Sequence, residues 1–434
     1  MKVLMFGWEF PPHISGGLGT ACYGLTKGLA KHGAEIIFVV PKAYGDEDQQ
    51  AVRIVNAEDT EIFVNEEFVE DVWNRIQYME AHSNLIPYIT PEEYEEAIQM
   101  ENKSRRTYLQ EKFIGKFTFS GAYGASLFEE VNMYGLLGGA IAKRHHFDVI
   151  HAHDWLTYSA GIAAKEATGK PLICHIHATE FDRTGQNINT IIYEYEKRGM
   201  QAADLVIAVS NLTRQTVIDK YGIPPEKVVT VHNAVEPTTK VFEKGQRHFK
   251  EKVVTFLGRI TFQKGPEYFI EAAAKVLKHD KNVRFVMAGS GDLLNRSIRR
   301  VAQLKIGTNF HFTGFLKGAD VDKMLALSDV FVMPSVSEPF GIVPLEAMRS
   351  EVPAIISKQS GVAEVLKYAI KVDFWDVDAM ANAIYGLLHY DSLPKMFKKY
   401  GKEEVDNLKW ENSAEKIVGL YQRLTVTVGE KCDH

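Results

Sequence analysis

The chain is predicted to be an α/β protein built as two doubly wound parallel-sheet halves that face a central cleft. Three observations predict it. Short apolar runs alternate with helical stretches, a glycine-rich turn follows the first strand, and the same grammar restarts after residue 252. With 434 residues, 45% of them apolar, there is material for two full hydrophobic cores.

Lys2 to Phe6 is an apolar strand. Pro11-Pro12 and Ser15-Gly16-Gly17-Leu18-Gly19 form the turn after it. Thr20 to His32 has helical spacing at Leu25 and Leu29 and stops at Gly33, a residue suited to a C-cap. Glu35 to Val40 is apolar almost without alternation, as buried parallel strands are. Asp148 to His151, Leu172 to His177 and Leu205 to Val209 repeat the pattern. The second set has strands at Val253 to Leu257, Val283 to Ala288, Asn309 to Phe312, Val330 to Pro334 and Ala354 to Ile356, and a helix over Pro266 to Lys278. The expected division is 1–238, 239–405, and a charged helical tail over 406–434, with Glu236 to Lys252 as a turn-rich linker. Residues 46–135 break the alternation as an acidic insertion, with 17 acidic and 6 basic residues between Asp46 and Lys112. Helical material over Glu66 to Met79 and Thr90 to Glu111 precedes a glycine- and aromatic-rich run, Phe117 to Gly124. It reads as a lid or acceptor-binding surface, or as a solvated helical cap.

Composition removes several classes of function. No uncharged run approaches the roughly 18 residues of a membrane span, and Met1-Lys2 leads straight into Val-Leu-Met-Phe-Gly, with no secretory h-region. Cys22, Cys174 and Cys432 are odd in number and far apart, so neither a disulfide frame nor a zinc pair is expected, and a reducing cytoplasm fits them. The most basic stretch, Lys240 to Lys252, is short and interrupted by Glu243 and Glu251, so nucleic acid is not an expected partner. G-x-G-x-x-G is absent, and hydride chemistry loses its best support.

The sharpest constellation is Ser335 to Met348, between an apolar strand and a helix. Pro339 and Gly341 shape a turn that leaves the amides of Phe340, Gly341 and Ile342 at a helix N-terminus, a place for an anion or an electron-rich hydroxyl. Glu338 and Glu346, eight residues apart, bracket it. Spacing alone serves capping or surface charge equally well. His153 ends a strand and should project into the cleft. His151, on the same face, reads as a hydrogen-bonded support residue, and His177 ends the next strand. No carboxylate or cysteine keeps ligand spacing with these imidazoles, so no metal is expected.

Glu338-Pro339-Phe340-Gly341 through Pro344-Leu345-Glu346-Ala347-Met348 resembles the E-x7-E signature of retaining, nucleotide-sugar-dependent glycosyltransferases of the GT-B fold. Other pieces follow in family order. They are Ser15-Gly16-Gly17-Leu18, Asp148 to Trp155, His175-Ile176-His177, Ala208-Val209-Ser210, Val231-His232-Asn233-Ala234-Val235, Gly258-Arg259-Ile260 to Lys264-Gly265, and Ala288 to Asp292. The His-Ala-His-Asp-Trp box, the Gly-Gly-Leu turn and the Tyr123-Gly124 to Tyr134 segment look most like glycogen and starch synthases.

The resemblance implies two Rossmann-like domains, a last helix crossing back to the first with Trp410 as its packing anchor, and closure about that crossing. It implies transfer of glucose from ADP- or UDP-glucose to the non-reducing end of an α-1,4-glucan, with no cofactor. His153 and Glu338 would be catalytic, Glu338 by holding a sugar hydroxyl while the leaving phosphate helps deprotonate the acceptor. Gly16, Gly17, Arg259, Lys264, Phe340, Gly341 and Ile342 would meet the donor diphosphate, whose charge grows as the glycosidic bond breaks. Glu346 would bind the ribose, and His177, Asp154 and Tyr123 would stand in a second tier toward sugar or acceptor. Ser360-Gly361-Val362-Ala363-Glu364 resembles a donor-binding loop, or is a plain helix start. Ile14 stands where the synthases carry lysine, so one phosphate-binding cation is missing and the nucleotide stays open. Acceptors of a different kind (a small sugar, a sugar phosphate, a lipid-linked glycan), a nucleotide-sugar epimerase and a non-catalytic glucan-binding protein remain as alternatives. The oligomeric state is not assigned.

Overall fold

The computed structural model describes residues 1–13, 16–60, 117–121, 123, 127–236 and 249–432, with side chains as far as 426. Both sheets are present and wholly parallel. The first contains β1 (Lys2–Phe6), β2 (Glu35–Val40), β3 (Arg53–Asn56), β4 (Val149–His153), β5 (Leu172–Ile176), β6 (Leu205–Ala208) and β7 (Val228–Thr230), in the order β3-β2-β1-β4-β5-β6-β7. The second contains β8 (Lys252–Leu257), β9 (Val283–Ala288), β10 (Phe310–Gly314), β11 (Val330–Met333), β12 (Ala354–Ser357) and β13 (Ile370–Val372), in the order β10-β9-β8-β11-β12-β13. Each sheet reverses its winding once, between β1 and β4 and between β8 and β11. There the crossovers diverge to opposite faces and a crevice opens at the carboxyl ends of the strands.

Burial on both faces explains the continuous apolar runs. Val3 and Met5 of β1 enter one core with the first helix (Gly17–Lys31), while Leu4 and Phe6 enter the opposite core with the helices Leu127–Lys143 and Trp155–Thr168. The first helix ends at Gly33, whose φ of 79° and 2.9 Å bond to the Ala30 carbonyl, with Ala34 N–H on Leu29 O, make the expected cap. The last helix, Trp410–Cys432, packs back on the first sheet. Trp410 is buried against Gly24 and Gly28 of the first helix, and any Cβ on Gly24 would overlap its indole. Trp410 is thus the packing anchor of the crossing.

Three strands lie where the apolar runs do not mark them. β3 falls inside 46–135 and pairs with β2, and the helix Leu127–Lys143 begins there too, so part of that stretch belongs to the regular sheet domain. β7 and β13 have three residues each. All three are at or next to a sheet edge, too short or too exposed to show a continuous apolar run. The helical spans Glu66 to Met79 and Thr90 to Glu111, most of the linker, and Ile14-Ser15 lie outside the described residues. Among the described residues no helix is long and apolar enough to cross a membrane.

Candidate active site

The two reversals bring four loops to one cleft. Gly16 and Gly17 follow β1 and His153 ends β4; Arg259 and Lys264 follow β8, and Glu338 follows β11. The lobes touch along one side of this cleft. Ser337 donates to Asp182 Oδ1 at 2.6 Å and the Thr213 hydroxyl to the Pro339 carbonyl at 3.4 Å. The Glu364 carboxylate receives the Asn211 and Leu212 amides at 2.9 and 2.8 Å and sits 2.8 Å from His232 Nε2. A carboxylate of the second lobe therefore fills the amide end of the helix Asn211–Tyr221 in the first.

In the second lobe, Glu338 is buried and held by its main chain. Its N–H donates to Gln359 O at 3.0 Å and its carbonyl receives Gly361 N–H at 2.9 Å. Its Oε2 accepts a hydrogen bond from Ser335 Oγ at 3.2 Å and pairs with Lys264 Nζ. Two residues expected to serve different parts of a donor thus hold each other. Arg259 is exposed and has one long hydrogen bond among the described residues, 3.4 Å to Gln263 Oε1. Gly341 has a φ of 101°, and a Cβ there would lie 3.2 Å from Glu338 Cγ and from Met333 Cε, so glycine is required by conformation and space. The amides of Phe340, Gly341 and Ile342 find no acceptor among the described residues. Glu346, on the helix Val343–Arg349, makes no side-chain hydrogen bond among the described residues. Burial pushes its carboxyl up from the ordinary range, Arg349 opposing and Asp322 adding.

In the first lobe, the helix starts at Gly17 after an extended Gly16, with no side-chain cap; a Cβ on either glycine would meet nothing within 4 Å. The Gly19 amide is taken by Glu9 Oε1 at 3.2 Å. Beside this opening, β4 and β5 lie in register with His153 opposite His175. Because alternate residues share a face, His151, His153, His175 and His177 form one stacked group, with ring centroids 4.3 Å apart in the first pair and 4.4 Å in the last. His151 Nδ1 is 2.6 Å from the Tyr421 hydroxyl of the last helix and Nε2 is 3.2 Å from His175 Nδ1, so it is the support residue its position implies. His153 Nδ1 is 3.1 Å from His177 Nε2, while His153 Nε2 and His177 Nδ1 are buried without partners among the described residues. Burial, reinforced by neighbouring imidazoles, pulls His151 down to about 3 and His153 and His175 well below the ordinary histidine value. Burial also lowers His177, against the pull of Asp154. The stack is neutral at physiological pH.

Asp154 follows His153 with φ 60° and ψ 168°, a conformation that favours glycine. Its Oδ1 accepts the His177 N–H at 2.6 Å, so it fixes the end of β5. Tyr123 is 49% exposed, yet Glu9, Asp154 and Cys22 of the first lobe and Arg259 of the second all act on its phenol. It stands where the lobes face each other.

The structure adds groups that sequence reasoning passed over. Arg183 Nη1 bonds Glu196 Oε1 at 2.8 Å, Tyr221 bonds the same carboxylate, and the Glu180 N–H reaches Glu196 Oε2 at 3.0 Å. Burial raises Glu196 to about 7, with Arg183 opposing. Asp182, which meets Ser337, closes a capping box with Thr179. The local signal was Thr179-Glu180-Phe181-Asp182-Arg183, a capping sequence dense in charge directly after the His177 strand. Cys22 is a further addition. Despite its distance in sequence, it lies with His153 and His177 in a group whose donor atoms are all within 4.8 Å of one another. Cys22 keeps no ligand spacing with these imidazoles along the chain, as expected from the sequence, yet the fold brings it beside them.

Residues 238–404 match the family model of glycosyl transferases group 1, and residues 136–239 that of glycosyltransferase family 4. An uncharacterised glycosyltransferase of Methanocaldococcus jannaschii is 28% identical over 97% of this chain and 98% of its own. An α-maltose-1-phosphate synthase of Mycolicibacterium smegmatis is 27% identical over 64% of this chain and 79% of its own. A glycogen synthase of Mycobacterium tuberculosis is 22% identical over 89% of this chain and 86% of its own. Among solved structures, the sucrose-phosphate synthase of Thermosynechococcus elongatus superposes with a TM-score of 0.70 at 18% identity, covering 98% of this chain and 99% of that one, a likeness of fold. Two parallel Rossmann-like sheets give this chain the GT-B fold, with the group 1 glycosyl transferase model matched over the second and the glycosyltransferase family 4 model over part of the first.

Proposed function

We propose that the protein is a retaining hexosyltransferase that moves glucose from ADP- or UDP-glucose to the non-reducing end of an α-1,4-glucan. The observation that carries this reading is the pairing of opposites across the cleft. His153 Nε2 is neutral, buried and unpartnered on one wall, and Arg259, Lys264 and three amides without acceptors stand on the other. The neutral imidazole suits an uncharged sugar hydroxyl; the cationic wall suits a diphosphate. Arriving phosphate draws Lys264 from Glu338, which releases that carboxylate to a sugar hydroxyl. The bond from the anomeric carbon to the diphosphate oxygen then breaks, and the acceptor oxygen bonds to the same face. The acceptor proton passes to the departing phosphate, so no enzyme nucleophile is needed. In this reading Glu346, whose carboxylate has no side-chain hydrogen bond among the described residues, would take the ribose hydroxyls.

A sugar-phosphate acceptor is the second reading, supported by the similarity to an α-maltose-1-phosphate synthase over 64% of the chain. Both are tested by one panel: ADP- and UDP-glucose against glycogen, maltotriose and fructose 6-phosphate, read as released nucleoside diphosphate. Release that depends on glycogen or maltotriose, with an α-configured product, supports the first. Dependence on fructose 6-phosphate alone supports the second. Turnover of a nucleotide sugar with no acceptor at all would sink both in favour of an epimerase.

A further inference from the structure

Cys22 is the cleft-floor residue that glycosyl transfer does not use. It is 1% exposed, and its Sγ shares a 4.8 Å cluster with one ring nitrogen each of His153 and His177. The two imidazoles are 3.1 Å apart at their facing nitrogens, and each keeps a second nitrogen that is buried and unpartnered. A thiol and two imidazoles are the donor set of borderline-soft cations. Zinc holds such donors at about 2.0–2.3 Å, which sets tetrahedral neighbours roughly 3.3–3.8 Å apart. With every donor atom of the cluster within 4.8 Å of the others, small rotations of side chains would complete it.

Two further features point to a cation. The carboxylates of Glu9 and Asp154, both buried, lie close enough to act on the Cys22 sulfur, with Asp154 also 3.9 Å from the Arg183 guanidinium. Asp154 also fixes the main chain of His177 at 2.6 Å, the outer support that orients a ligand. His177 is partly exposed, which opens the group to the cleft.

We propose that Cys22, His153 and His177 form a binding site for a borderline-soft divalent cation, Zn²⁺ foremost, with water as the fourth ligand, and that occupancy is inhibitory. On binding, the thiol proton leaves to solvent and the thiolate bonds the metal, each imidazole contributing one neutral nitrogen. No redox change is involved. The metal takes His153 away from its sugar hydroxyl, so chelation should raise turnover. The inhibitory half rests on the glycosyl-transfer reading; the binding half does not.

The test uses the full chain with Cys432→Ser as background, so that a new thiolate signal reports the cleft. Cobalt(II) alone serves as the spectroscopic probe. The expected result is one equivalent of tetrahedral Co²⁺ with a thiolate charge-transfer band, displaced by Zn²⁺. Cys22→Ala should abolish that band while leaving the thermal midpoint and acceptor-dependent turnover near those of the background. His177→Ala should weaken Zn²⁺ binding at least about tenfold, the lower scale for loss of a group that shapes a metal site. Turnover of the background protein should fall with added Zn²⁺ and recover with chelator, whereas Cys22→Ala should resist. If Cys22→Ala proves unstable, Cys22→Ser replaces it, with the same expected loss of the band. Absence of a thiolate–cobalt band in the background protein, or its persistence in the Cys22 variants, overturns the proposal. A band with no Zn²⁺ effect on turnover overturns the inhibitory half alone. Should the protein transfer no sugar under any condition, the cobalt spectrum still decides the site.

Discussion

The two sheets wind alike through their first six strands and carry their candidate site residues at matching positions, yet their crevices hold opposite chemistry. In the first, β4 and β5 present four imidazoles that burial keeps neutral, anchored by Tyr421 of the crossing helix. In the second, the loops after β8 and β11 carry an exposed Arg259, Lys264 on Glu338, and amides without acceptors. Topology decides where each set stands, since both lie at a winding reversal. Environment decides what each can do. An uncompensated charge on the buried imidazoles of the first crevice would be expensive, whereas the second keeps its cations at the cleft surface, where an anion can meet them. A donor with an anionic half and a neutral half fits across such a pair.

The largest expected effects break the second crevice. Lys264→Ala and Arg259→Ala should each lower kcat about 10²-fold or more, the scale for losing one group that stabilises developing charge; Glu338→Gln should remove most of the activity. The contrast is sharpened by calorimetry with free nucleoside diphosphate. The two cation variants should bind it weakly, while His153→Ala, though slow, should bind it nearly as wild type does. Equal losses of affinity in both lobes would erase the division of labour.

The first crevice should answer to acid. Its histidines have folded values below the ordinary value of about 6.5, so the unfolded chain binds more protons once the pH drops beneath that point. Their contribution to stability is complete above about pH 6.5 and is lost as the pH falls toward the folded values, about 3 for His151. The calorimetric midpoint should decline between pH 7 and 5, and a flat profile would contradict a neutral stack.

A smaller change is expected from Tyr421→Phe. It leaves His151 Nδ1 buried without its 2.6 Å partner and should reduce stability by about 1–3 kcal/mol in urea unfolding. Least of all, Glu364→Ala should cause a several-fold loss in kcat/KM with native circular dichroism and a wider scattering profile, because it removes a contact between the lobes and nothing from either crevice. Burial works against that carboxylate, but the bonds from His232, Asn211 and Leu212 prevail and hold it below the ordinary glutamate range. The contact should therefore survive mild acid and fail only as the pH falls through that lowered value. An unchanged profile in the variant would mean that the lobes are held elsewhere.

Much of the fold was legible because its signals are local. The central strands are buried on both faces and so must be apolar, and Gly33 marks a helix end because its φ of 79° suits glycine. β3, β7 and β13 stayed hidden since a strand of three or four residues at or near an edge buries too little to demand a pattern. The same divide runs through the site. His153 and the Glu338 turn were visible as a strand end and a loop before a helix. The bond between Lys264 and Glu338 spans 74 residues, and that between His151 and Tyr421 spans 270.

The order of residues along the chain determined which groups each strand end would offer: glycines after β1, a histidine after β4, cations after β8 and a carboxylate after β11. These follow from periodicity and turn chemistry acting over a few residues. Only the tertiary structure decided which groups meet, including Cys22 beside His153 and His177, Glu364 on a helix of the other lobe, and Lys264 on Glu338 rather than in solvent. The reason is physical: such contacts depend on sheet register, on helices packed across a core and on how two lobes abut, and no local pattern encodes them.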